Sequence, residues 1–340
     1  MKKILLLSTI SLFFATTSLA SDYEIPPRYA TLWKNGVVQN LTCGTHSASA
    51  NSVFVSGNDV YVVGFDTRGY RGSSPRTAML WKNGVAQELI SETDCTVAHS
   101  VFVSGNDVFV VGVGKFDIGH IGSDTRWRDY GNGIAILWKN GVEQKLTDGS
   151  LWSSALSVFV YNDDVYVLGH NGWNTVVLWK NGKEKYVIEG ARAHSVFVSN
   201  NSVYISGREG RRATIWKNGI AEHLSDGDRI MSGQSIFVSN NDVYVVGYER
   251  YGIAKLWRNG ELQNFDNGAH RSIANSVFVF ADNIYIAGQN CQGATLWKNG
   301  VAQTLASDES RWGQFNSANS VFVSDDGDVY VVGHTKSSRW

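Results

Sequence analysis

Cysteine is scarce in this chain: three residues in 340, Cys43, Cys95 and Cys291. An odd number permits at most one internal bridge, Cys43 with Cys95 or with Cys291, so the fold cannot rest on a disulfide framework. Excess charge is also missing. The formal net charge is −1, and −3 once Lys2 and Lys3 are removed with the segment described next; a balance so close to neutral gives no reason to expect nucleic acid or an anionic membrane as partner. No apolar run beyond residue 20 approaches the ~20 residues needed to cross a bilayer, so no membrane insertion is expected. Nucleophile motifs, phosphate-cradling glycine loops and zinc-ligand spacings are absent as well, and no cofactor or metal is expected. The three prolines, set against 35 glycines and 12% aromatic residues, fit a turn-rich all-β chain.

What is present begins with a processing signal. Lys2 and Lys3 precede an apolar run from Ile4 to Phe14, and Ser18-Leu19-Ala20 offers a small-residue cleavage site. Residues 1–20 are therefore expected to be a signal peptide, with a secreted or periplasmic destination for a single domain over 21–340. Ser21, not a cysteine, would stand at the new N-terminus, which argues against a lipid anchor.

Seven near-copies of a roughly 40-residue unit fill the remainder. A unit reads Ser-Val-Phe-Val, a short polar turn, Asp-Val-Tyr-Val-Val-Gly, a variable loop, Ala-Thr-Leu-Trp-Lys-Asn-Gly and Val-x-Gln-x-Leu. These segments predict four strands, A to D. Strand A is rich in β-branched and aromatic residues and reads as buried on both faces. C and D are joined by Asn-Gly, the strongest short hairpin signal, because a type I′ turn needs positive φ at both central residues. Strand D alternates, and Lys183-Glu184-Lys185 in one copy marks it as an outer edge. The chain opens on a C strand (Ala30 to Gly36) and closes on a B strand (Val329 to Gly333). Joining its ends would complete the last unit and shut a ring, so the expected fold is a seven-bladed β-propeller of four-stranded antiparallel blades.

The strand-C tryptophan resembles that of WD40-type blades, but Lys or Arg follows it rather than Asp. The Ala-x-Leu-Trp-x-Asn-Gly-x-x-x-x-Leu pattern with its Val-Val-Gly strand more closely resembles the bacterial extracellular HAF repeats, over Ala30 to Gly333. That resemblance implies an exported propeller and carries no catalytic residues. Kelch double glycines, sialidase Asp boxes and pyrroloquinoline-quinone blade motifs are absent.

One face of the ring is expected to be uniform, built from A–B and C–D turns. The other carries the B–C and D–A loops, which vary in length and hold most of the non-repeat side chains. Binding residues concentrate on such loops. The longest, in blade 2 (counting the first complete unit as blade 1), contributes Phe116, His120, Trp127, Arg128 and Tyr130; blade 1 adds Arg68, Tyr70 and Arg71; Trp152 and Trp173 sit in further loops; Arg208, Arg211 and Arg212 form a basic cluster suited to a carboxylate or sulfate. Exposed aromatics beside planar hydrogen-bonding groups suit a sugar ring or a protein hot spot. The expectation is a monomeric, non-catalytic binding module for a glycan or a cell-surface protein. A carbohydrate-active enzyme using loop carboxylates such as Asp117, Asp129, Asp226, Asp228, Glu249 and Asp308, or a structural spacer, are the alternatives. The residues just before strand A (Asn51, His99, Leu156, His194, Gln234, Asn275 and Asn319) are expected to bond neighbouring blades around the channel mouth.

Overall fold

The computed structural model describes residues 27–67, 75–115, 133–263, 265, 271–307 and 316–336. They form seven four-stranded antiparallel sheets and, among the described residues, no helix. Six blades are contiguous in sequence. The seventh takes strands A and B from Ser317–Val323 and Val329–Lys336, and strands C and D from Arg28–Lys34 and Val37–Asn40. Trp33 lies opposite Val331 and Arg28 opposite Lys336 across that seam, so the two ends of the domain share one sheet and the ring closes as the phase of the repeats requires. The expected signal segment lies outside the described residues.

Every C–D connection is the predicted hairpin. Asn83 and Gly84, for example, have φ of 52° and 82°, the paired left-handed conformation of a type I′ turn. The asparagine side chain does further work there. Asn83 Oδ1 accepts the Val60 N–H at 2.8 Å, its Nδ2 donates to Asp59 at 2.7 Å, and Lys82 reaches the same carboxylate at 2.7 Å. Equivalent Asp–Lys or Asp–Arg pairs recur as Asp107–Lys139, Asp164–Lys180, Asp242–Arg258 and Asp328–Lys34. In five of the seven blades the polar groups of the uniform face thus bind one another.

Blades stack through seven apolar clusters, each spanning two neighbours. The strand-C tryptophans Trp33, Trp81, Trp138, Trp179, Trp216, Trp257 and Trp297 are all within 1% of complete burial. Trp216 sits among Tyr166, Leu168 and Leu178 of blade 3 and Val196 and Ile205 of its own blade 4. A single blade would leave this surface in water, so stacking is what makes the unit stable.

Strand A departs from the expected strand in two ways. It begins earlier, as in Ala48–Ser56, and in all seven blades its register against strand B slips by one residue, between Ala50 and Ser52 in blade 1 and at the same place in the others. The skipped residue is a β-bulge. The bulge presses strand A onto the glycine that ends each Val-Val-Gly segment: a Cβ on Gly64, Gly207 or Gly333 would stand 1.9 to 2.1 Å from a strand-A carbonyl oxygen. Only glycine fits that approach. Beyond the bulge, Ser52 Oγ accepts the Val101 N–H of the next blade at 3.3 Å, and the corresponding serine bonds appear at five more blade junctions.

Strand A is also not uniformly buried. Its phenylalanines are half-buried and point to the axis, where Phe54, Phe102, Phe159, Phe197, Phe237, Phe278 and Phe322 form a closed ring with neighbouring centroids 4.5 to 5.0 Å apart and planes tilted by 46° to 56°. Seven centroids so spaced lie on a circle about 5.5 Å in radius, and the rings' own bulk leaves an aperture on the order of one or two water molecules across. The axis is closed to anything larger, and the channel is a blind funnel from the variable face.

Candidate functional site

The skipped residues line the wall of this funnel above the phenylalanine ring. Asn51, Asn275 and Asn319 each donate to the next blade, to the carbonyls of Ala98, Ala318 and Ala50 at 2.8 to 2.9 Å, the inter-blade role expected of them. His99 and His194 occupy the equivalent bulges of blades 2 and 4. Burial pushes both imidazoles from 6.5 down to about 4, helped by nearby cations, Arg76 and Lys115 for His99 and Arg208 and Arg192 for His194, so both are neutral at pH 7. Among the described residues, no three His, Cys, Asp or Glu side chains gather into a metal site.

His99, His170, His194 and His334 stand within strands rather than loops, because the strands run further toward the variable face than the repeat pattern suggested. His170 is buried, and its Nε2 donates to the Ala193 carbonyl at 3.1 Å. The three cysteines are unpaired.

Blade 3 holds an aromatic feature that matches two sequence candidates. Strands A and B of this blade end with Ser153 opposite Asn171, which brings the flanking loops together. The Gly172 N–H donates to the Trp152 carbonyl at 2.7 Å, and Gly172 adopts φ of 93°, a conformation that turns the chain sharply. The following residue, Trp173, lies across Trp152 with centroids 5.6 Å apart and planes 18° from parallel. Trp152 is half-buried while Trp173 is 74% exposed. The pair is a flat indole platform on the variable face.

The basic cluster is arranged differently from its sequence reading. Arg208 and Arg212 belong to strands, Ser202–Glu209 and Arg212–Lys217, joined by Gly210 and Arg211 alone. Each guanidinium of the cluster binds a local carbonyl: Arg208 that of Gly210 at 2.9 Å, Arg211 that of Asp228 at 2.7 Å and Arg212 that of Asp226 at 3.1 Å. They stiffen the blade 4 hairpin and the loop leading into blade 5. Arg211 alone of the three also faces a groove between the two blades, which encloses about 400 Å³ and is lined further by Arg229, Ile230, Glu249, Arg250, Tyr251 and Ile253. Glu249 is buried, with one oxygen on Arg229 and the other 3.1 Å from Lys255. Burial alone would raise its pKa, but those two cations outweigh it and hold the carboxyl below its ordinary range. Such a group is an ion-pair anchor rather than a proton donor. Asp226 is likewise occupied, accepting the Asp228 N–H at 3.1 Å.

Arg68, Tyr70 and Arg71 of blade 1, Phe116, His120, Trp127, Arg128 and Tyr130 of blade 2, and the acids Asp117, Asp129 and Asp308 lie outside the described residues. Arg229, Arg250 and Tyr251 were not among the sequence candidates. Their signal was available in the repeat alignment, since the D–A loop entering a blade and the B–C hairpin of that same blade must be neighbours.

The chain matches no family model and no curated protein, so the resemblance to HAF repeats rests on the motif alone. Among solved structures it is similar to the extracellular domain of a hybrid two-component system from B. thetaiotaomicron, at 9% identity and a TM-score of 0.52, over 86% of this chain and 38% of that one. It is also similar to the computationally designed Ika8 protein, at 14% identity and a TM-score of 0.45 over 85% and 96% of the two chains. A third similarity is to an acylaminoacyl peptidase from Pyrococcus horikoshii, at 13% identity and a TM-score of 0.46 over 76% and 52%. The chain spans little more than a third of the two-component protein's solved length, and identities at this level speak to the fold alone.

Proposed function

We propose that this chain is an exported, non-catalytic binding module that takes a glycan on its variable face. The observation that carries the reading is the Trp152–Trp173 platform. A large indole left 74% exposed on a rigid β scaffold forgoes burial worth on the order of 2 kcal/mol. The flat C–H face of a pyranose ring recovers that burial, and the indole N–H at the rim supplies a donor. In five of the seven blades the polar groups of the uniform face are tied to one another, and the axis is closed, which favours the variable face for ligand. Export is supported by the basic and apolar start of the sequence, and the extracellular origin of one structural neighbour accords with it. Of the described candidate carboxylates, Glu249 is fixed between two cations, which favours binding over catalysis at that position.

The test is a glycan array probed with the mature protein and with Trp173→Ala, run beside an assay for release of reducing sugar. The expected result is binding of at least one glycan class, lost or weakened at least tenfold in the variant, with no sugar released. Release of reducing sugar, or unaltered binding by the variant, would refute it.

A further inference from the structure

The groove between blades 4 and 5 combines features that the Trp platform lacks. Three guanidiniums from three separate backbone segments converge on it: Arg211 from the blade 4 hairpin, Arg229 from the connecting loop and Arg250 from the blade 5 hairpin. All three side chains belong to exposed residues. The segments are stitched together, since Met231 N–H donates to the Arg211 carbonyl at 2.9 Å and Arg250 N–H to the Ile230 carbonyl at 2.7 Å. The backbone segments that carry the three cations are therefore tied to one another.

Each guanidinium has five N–H donors, and the local partners occupy only part of that capacity. Arg211 uses one nitrogen on the Asp228 carbonyl and Arg229 one on Glu249, while Arg250 lies over the Tyr251 ring, 5.3 Å from its centroid. The one carboxylate lining the groove, Glu249, is buried with both oxygens engaged, so it offsets Arg229 without presenting charge to an incoming anion. Asp226 and Asp228 are exposed on the adjoining loop, Asp226 with one oxygen already taken.

Tyr251 stands at the lip, 86% exposed, with φ of 79°. Left-handed backbone is costly for a bulky side chain, and here it belongs to the tight turn that the Gly252 N–H closes on the Glu249 carbonyl at 3.0 Å. With Ile230 and Ile253 the ring gives the groove an apolar surface beside its cations.

We propose that this groove binds a hexuronate unit of an acidic oligosaccharide: the carboxylate is taken by the planar forks of Arg250 and Arg211, and the C–H face of the ring rests on Tyr251. Planar bidentate donors match a carboxylate, and the enclosed volume accommodates a disaccharide. The proposal rests on the glycan reading above and concerns a second surface of the same face.

The test is titration calorimetry of the mature protein with tetrasaccharides of galacturonate, mannuronate and glucuronate, their methyl esters, and a sulfated galactose tetrasaccharide. At least one uronate is expected to bind, at least tenfold more tightly than its uncharged ester, and to lose at least tenfold in affinity on Arg250→Gln. Tyr251→Gly removes the backbone cost, so it should melt no lower than the wild type and still bind at least tenfold more weakly, which separates recognition from folding. Equal affinity for acid and ester, unchanged binding by either variant, or binding of the sulfated sugar alone would overturn the assignment. Neutral glycans bound through Trp173 with no uronate bound would refute this groove and leave the platform standing; uronates bound through Arg250 with no neutral glycan would do the reverse.

Discussion

Two tryptophans in neighbouring blades provide a direct test of how this structure divides scaffold from surface. Trp216 is 1% exposed and wedged between blades 3 and 4; Trp173 is 74% exposed and touches chiefly Trp152. A buried indole removes roughly 150–250 Å² from water, which at about 25 cal/mol per Å² amounts to about 4–6 kcal/mol as an upper bound. Incomplete collapse of the cavity left by Trp216→Ala keeps the loss near 3–5 kcal/mol. Trp173→Ala forfeits one aromatic contact in water and should cost under about 1 kcal/mol. For a domain of roughly 300 residues each kcal/mol moves the melting midpoint by about 1.5 °C. The expected result is therefore a drop on the order of 5–8 °C for Trp216→Ala and a shift within about 2 °C for Trp173→Ala. Melts should be followed by both intrinsic fluorescence and far-ultraviolet circular dichroism, since coincident transitions are needed before a free energy is assigned. Comparable losses at the two sites, or a loss under about 1 kcal/mol at Trp216, would refute the reasoning.

Deleting residues 21–40 removes strands C and D of blade 7 and exposes the edge of Val329–Lys336; the expected product is aggregated or molten by size-exclusion chromatography, and a cooperative, equally stable monomer would contradict closure at this seam. Gly207→Ala places a methyl group 2.1 Å from the Arg192 carbonyl oxygen, so stability to urea should fall by about 1–3 kcal/mol, whereas an unchanged midpoint would show that strand A can retreat from its bulge. His99, His194 and His334 are held neutral by burial with pKa near 4 against 6.5 when unfolded, so the unfolded chain binds more protons between those values. Stability present above pH 6.5 should then decline progressively toward pH 4, followed by melting at constant ionic strength, and a flat profile over that window would refute the burial of these rings.

The ring and its seam were legible in the sequence because they depend on chain-local signals. Asn-Gly fixes a hairpin through the φ of two adjacent residues, and Trp-Lys before it marks the strand. Starting on strand C and ending on strand B then leaves one arrangement that satisfies both ends. The bulge was not legible, because nothing at Asn51, His99 or Leu156 shares a side-chain chemistry; what they share is a position opposite a glycine, and that glycine reads as a strand end until strand A is seen pressing on it. The phenylalanine ring escaped for a related reason. Ser-Val-Phe-Val is indistinguishable from a core strand within one repeat, and the phenylalanines meet only their counterparts from other repeats. The arginine cluster shows how hairpin geometry redistributes residues adjacent in sequence. Adjacency in sequence at Arg208, Arg211 and Arg212 suggested a shared ligand, yet hairpin geometry sends each to a nearby carbonyl, while the groove draws its cations from segments far apart in the chain.

A propeller can bind along its axis, on either face or at its rim, and the energetics of this one remove most of those options in turn. The axial route fails on dimensions, since the phenylalanine ring leaves room for little more than water. On the uniform face, five of the seven blades tie Asp, Asn and Lys or Arg to one another, and a ligand there would have to replace those bonds at no net gain. At the rim, strand D exposes Val37 and Val38 side by side in blade 7 and Val85, Val142, Ile220 and Val301 in blades 1, 2, 4 and 6, a pattern ordinary for a protein surface. On the variable face, by contrast, exposed indole stands beside a turn that fixes it, and three guanidiniums keep spare donors in a groove whose own carboxylate is neutralised. Those are the described places where the fold holds large side chains in position without using up what they can bind, and there a ligand gains free energy without first breaking the scaffold.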